Sequence, residues 1–139
     1  MTFNWMRGLN CSEVGAPSEH TTTFQFGAVT LAVESLWRIR VEGRIRRTSN
    51  DNGQRFGFAE PVDAAAEAFR LLRGRRILGV RVDDMCADLV VAFDNDVSLE
   101  IITDSAGYEA WTLSGTGHEL IAGSGGTVHD VSRLRPNER

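Results

Sequence analysis

At 139 residues the chain is near the commonest length for one domain, and 42% hydrophobic with 24% charged residues is the composition of a folded protein with one core, not of a disordered one. The net charge of −4 hides two opposed blocks: residues 82–131 hold ten acids and no base, whereas residues 38–81 hold eleven arginines against five acids. That balance argues against a broadly basic nucleic-acid binder and describes a bipolar molecule, a statement about partners and solubility and not about fold.

All 15 basic residues are arginine, which reflects either a demand for planar, bidentate contacts or codon usage that favours arginine. The longest apolar runs, such as Leu89–Phe93, fall far short of the roughly 20 residues that span a bilayer. The first residues lack the basic and then apolar pattern of a signal peptide, so a cytoplasmic location is expected. Cys11 and Cys86 stand far apart without a C-x-x-C pair, which predicts two free thiols, with Cys86 the buried one, and neither a zinc site nor a disulfide.

Residues 1–22 read as an N-terminal anchor at Trp5 followed by a loose, aperiodic connection from Gly8 to Thr22. A globular β-rich domain is expected over 23–131 and a flexible tail over 132–139. Phe24 and Phe26, a Gly27-Ala28 break, then Val29, Leu31 and Val33 alternate as a hairpin does. One long strand is expected from Leu36 to about Arg46, with Trp37, Ile39, Val41 and Ile45 facing inward. Arg38, Arg40, Arg44 and Arg46 would then form a row on the other side.

A helix is predicted over 61–73. Pro61 or Asp63 starts it, Arg70 and Arg73 sit near its negative end and Gly74 stops it. Its buried stripe would be Ala65, Phe69 and Leu72, with Ala66 and Leu71 at the margins. Strands follow at about Ile77–Val82, Ala87–Phe93, Val97–Thr103, Tyr108–Leu113, Glu119–Ala122 and Thr127–Val131, separated by short turns rich in Asp, Asn, Ser and Gly. The fold class is therefore α+β: a mainly antiparallel β meander, forming a curved sheet or open barrel with one helix packed on it.

An internal echo runs through this layout. Phe26, a turn, Val29-Thr-Leu31-Ala-Val33 and then Trp37-Arg-Ile39 match Phe93, a turn, Val97-Ser-Leu99-Glu-Ile101 and then Trp111-Thr-Leu113. Two ordinary hairpins would give the same pattern. A duplication would relate the halves by a pseudo-twofold axis and make the two tryptophan strands equivalent.

The Phe93–Ile101 strand pair, the Tyr108-Glu-Ala-Trp111 element and the Gly125-Gly126 turn resemble those of a family of small uncharacterised bacterial proteins, some similar to the immunity partners of toxins. The resemblance covers roughly Ile77 to Val131 and implies a single β-rich domain without an established activity. Asp94-Asn-Asp96 departs from it at a turn where an Asp-Gly pair is more usual.

No nucleophile elbow, phosphate loop or metal-ligand spacing is present, so catalytic, metal-binding and cofactor residues are assigned to none. The acids of the turns read as turn residues, and His20, His118 and His129 lack ligand spacing. Two functions remain open. One is a non-catalytic interaction protein of immunity or antagonist type, using Arg38, Arg40, Arg44, Arg46, Asp94, Asp96 and Glu100 as its surface, with a second copy or another protein as partner. The favoured reading of the arginine row itself is pairing across the sheet or across a subunit boundary with Glu100, Asp88, Asp94 or Asp96, ahead of a protein partner, with nucleic acid the least favoured. The other function is a small-ligand domain, weakly enzymatic at most, with a pocket at Trp37, Trp111 and Glu109. Glu109 is placed there because it lies two residues before Trp111, on the same face of an extended strand.

Overall fold

The computed structural model of the chain describes residues 1–133. Its twelve strands are β1 (Thr2–Phe3), β2 (Glu13–Ser18), β3 (Thr21–Phe26), β4 (Val29–Val33), β5 (Leu36–Val41), β6 (Arg44–Thr48), β7 (Ile77–Val82), β8 (Leu89–Phe93), β9 (Val97–Ile102), β10 (Trp111–Gly115), β11 (His118–Ala122) and β12 (Val128–Asp130). The single α-helix, α1, spans Ala64–Leu72, and short 3-10 turns occupy Ser49–Asp51 and Ser124–Gly126. The strands form two antiparallel sheets, ordered β1-β7-β8-β9-β5-β6 and β2-β3-β4-β10-β11-β12. The antiparallel β architecture with one helix is as the sequence predicts; the strands divide between two sheets that do not close into a barrel.

Alternation explains the core. Phe24, Phe26, Leu31, Val33, Trp111 and Leu113 of the second sheet meet Trp37, Ile39, Leu89, Val91, Leu99 and Ile101 of the first in one buried cluster. Helix α1 packs beside β2 of one sheet and β6 of the other. The Asp63 carboxylate caps it by accepting from the Ala66 N–H at 3.0 Å.

Apart from the β1–β2 connection, the chain crosses between the sheets twice, from β4 to β5 and from β9 to β10. The pairs so formed are equivalent. Trp111 lies opposite Val33 and Leu113 opposite Leu31, while Trp37 lies opposite Ile101 and Ile39 opposite Leu99. The correspondence extends outward, because β2-β3-β4-β10-β11 and β7-β8-β9-β5-β6 have the same order, and a 3-10 turn follows both β6 and β11. The two halves thus exchange strands: each gives a hairpin to one sheet and a tryptophan strand to the other, which is the pseudo-twofold relation the echo implies.

Several expectations are corrected. Gly8–Thr22 contains β2, paired with β3, and Met6 and Cys11 are buried. A mostly exposed edge strand with Pro17 at a register shift carries little periodic signal. The strand foreseen over Leu36–Arg46 is a hairpin, turned at Glu42-Gly43 with φ of 52° and 81°. Arg40 therefore pairs with Ile45, which points outward and is 55% exposed. The helix buries Ala64, Ala68 and Leu72, a stripe displaced from the one expected, because packing between two sheet edges sets its rotation. Cys11 is the buried thiol and Cys86 the exposed one, since the β7–β8 turn lifts Cys86 to the surface. From residue 134 onward the expected tail lies outside the described residues.

Candidate functional site

The two crossings meet at one end of the sandwich, and their backbones are joined there. The Glu34 N–H donates to the Ala110 carbonyl at 2.9 Å, the Ser35 hydroxyl donates to the same carbonyl at 3.3 Å, and the Leu36 N–H donates to Asp104 Oδ2 at 3.2 Å. The β2–β3 turn, with Glu19 and His20, and the 3-10 turn after β6 surround this junction. Two adjoining depressions open on it. One of about 240 Å³ is lined by Ser18, Glu19, His20, Trp37, Asn50 and the start of α1, among others. The other, of about 440 Å³, is lined by His20, Glu34, Asp104, Ser105, Tyr108, Glu109 and Ala110.

The electrostatic character of the cleft is one-sided. Four carboxylates, those of Glu19, Glu34, Asp104 and Glu109, line the depressions, and none of the arginines does. Among the described residues none of the four is in an ion pair. The nearby start of α1 does not offset them: the Ala64 N–H is taken by Asn52 Oδ1 at 3.0 Å and the Ala66 N–H by Asp63. Tyr108, 80% exposed, lines the larger depression. Such a cleft suits a cationic group with an apolar stem. Among the described residues no cluster of three or more His, Cys, Asp or Glu side chains is placed to hold a metal ion.

The residues singled out from sequence separate here. Trp37, buried, forms part of the floor of the smaller depression, and its indole N–H donates to Thr22 Oγ1 at 3.0 Å. Glu109 lines the larger one from an exposed loop position, not from the inner face of a strand, because β10 begins only at Trp111. Trp111 lines neither; it is a core residue whose indole N–H donates to the Ala87 carbonyl at 2.8 Å. Sequence reasoning missed Glu19, His20, Glu34 and Asp104, which sit in turns and crossings without periodicity.

The arginine row divides as well. Arg38 and Arg40 both reach Glu100, with Nε–Oε1 at 2.7 Å and Nη1–Oε2 at 3.5 Å. Arg44 and Arg46 lie on edge strand β6, where charge discourages pairing with another strand. Asp94 and Asp96 flank Asn95 in the β8–β9 turn, with Asn95 and Asp96 at positive φ. The Asp83 carboxyl at the β7–β8 turn is held below the usual carboxylate range by N–H donors from Met85 and Cys86.

Residues 19–132 match the model of a family of unknown function (DUF6188), which is most of the chain. No curated protein and no solved structure matches it. The chain belongs to that family.

Proposed function

We propose that this member of the DUF6188 family is a non-catalytic interaction module that receives a basic segment of another protein on its acidic end. The observation that carries the reading is the set of four carboxylates facing two adjoining depressions that no arginine lines, in a chain with 15 arginines. Carboxylates gathered in a concave site concentrate negative potential and speed the approach of a cationic partner. The exposed Tyr108, which lines the larger depression, supplies apolar surface beside that charge, as anchors at interfaces do. An immunity or antagonist protein that covers the basic surface of its target would use such an end. The free thiols of Cys11 and Cys86 accord with a reducing, cytoplasmic setting.

The test is calorimetric titration with an oligo-arginine peptide at low and high salt. Glu34 and Glu109 are exposed and their side chains make no hydrogen bond among the described residues, so Glu34→Gln with Glu109→Gln changes charge and little else. The double variant is expected to bind about tenfold or more weakly, with a reduced salt dependence, while Glu13→Gln, exposed on β2, leaves binding unchanged. Equal binding by the double variant and the parent sinks the reading.

The second reading, a small organic cation held against Glu109, is favoured by the depression of about 440 Å³ that Glu109 lines, within the usual range of roughly 300–1,000 Å³ for ligand sites; Trp37 lines only the smaller one. Free arginine or spermidine bound as tightly as the peptide would select it.

A further inference from the structure

We infer that the outer face of the first sheet is a homodimer interface, closed by a twofold axis running along β8. Strand β8 is apolar on both sides: Leu89, Val91 and Phe93 enter the core, while Val90 and Ala92 point outward. A strand of that composition is the pattern of a sheet covered on both faces. Its outer neighbour β7 extends the apolar surface, with Leu78 49% exposed. The outer face of the second sheet is more polar; Thr23, Gln25, Thr30, Thr112 and Ser114 alternate there with the core residues, beside Ala32 and Ile121. On the first sheet the apolar strip is confined to β7 and β8, and Ser98, Glu100, Arg38 and Arg40 flank it on β9 and β5.

Charge identifies a second copy as the cover. On the β7 side of β8, Arg81 and the Met1 ammonium are set against Asp83, Asp84 and Asp88, which surround a hollow of about 440 Å³ beside Val90. On the β9 side, Glu100 is set against Arg38 and Arg40. The two sides therefore have opposite net sign, and a twofold axis along β8 lays each upon the other. The register makes the match specific. Arg81, Val90 and Glu100 lie in one row across β7, β8 and β9. Rotation about β8 brings Arg81, exposed and without an ion pair among the described residues, over the Glu100 of the second copy. It carries Arg38 toward the acidic hollow and sets Val90 and Ala92 against their own counterparts. This surface is separate from the acidic cleft, so each copy in the dimer keeps its cleft.

Sedimentation velocity over a concentration series tests the inference. The parent is expected to sediment as a dimer, and Val90→Asp as a folded monomer with an unchanged circular dichroism spectrum. Arg81→Glu, at an exposed position where unfolding is not at issue, is expected to weaken the dimer by about tenfold or more by setting two carboxylates face to face. Ser114→Asp on the other outer face should leave it intact. A parent that is monomeric up to its solubility limit overturns the inference. So does a dimer that Arg81→Glu leaves unchanged, whether or not Val90→Asp folds.

Discussion

The two tryptophans show how a single polar atom decides what a large side chain needs. Each indole is buried, and each N–H finds an acceptor within its own half of the chain, Thr22 on β3 for Trp37 and Ala87 just before β8 for Trp111. Cys11 has no such compensation beyond a 3.6 Å contact from its Sγ to the Glu13 carbonyl, and burial pushes its thiol up to about 11 from an ordinary 9.0. The neutral thiol is therefore the form the fold favours. Its contribution is complete below pH 9, where folded and unfolded chains are both protonated, and is lost as pH rises from 9.0 toward about 11. The loss should amount to about 2–3 kcal/mol of unfolding free energy. Urea unfolding across that window is expected to show this slope in the parent and not in Cys11→Ala, after allowance for the variant's lower baseline. The exposed Cys86 carried no sign of its position in the sequence, because a turn and a strand end differ only in which way the backbone leaves the sheet.

At the scale of elements, local chemistry was legible where it is self-contained. Strand β7 was expected at Ile77–Val82 and lies there, and of the two starts read for the helix, Pro61 and Asp63, the structure takes Asp63, as its cap. Asp63→Ala removes the acceptor for the Ala66 N–H and should cost about 1 kcal/mol, measured as a shift in the denaturation midpoint with an unchanged slope. The hairpin at Glu42-Gly43 was not legible. A valine before Glu-Gly and arginines on both sides keep the alternation going in sequence while the chain reverses in space. The error in Ile45 follows directly from that, since a hairpin resets the parity of inward and outward positions. The onset of β10 was misplaced for the converse reason: Tyr108 and Glu109 fit a strand by pattern, but they belong to the landing of the second crossing.

For the whole molecule, the exchange of strands between halves has an energetic consequence. The central pairings, β4 with β10 and β5 with β9, each join one half to the other, so neither half can complete its own sheet. Cleaving the chain at Gly74 should give fragments that are each unfolded alone and that recover the native spectrum when mixed; a fragment that folds by itself would contradict the exchanged arrangement. Joining two crossings at one end also gathers carboxylates from three separate segments into one cleft, which no local pattern foretells.

The amino-acid sequence by itself determined the antiparallel class, the helix, most strand positions and the echo between the halves, because these depend on periodicity and on residues a few positions apart. Only the tertiary structure decided that the strands form two sheets, which thiol is buried, that Glu100 is held by Arg38 and Arg40, and that Glu19, Glu34, Asp104 and Glu109 share a cleft. Those outcomes depend on which distant segments the crossings bring together, and long-range proximity is set by the packing of the whole core.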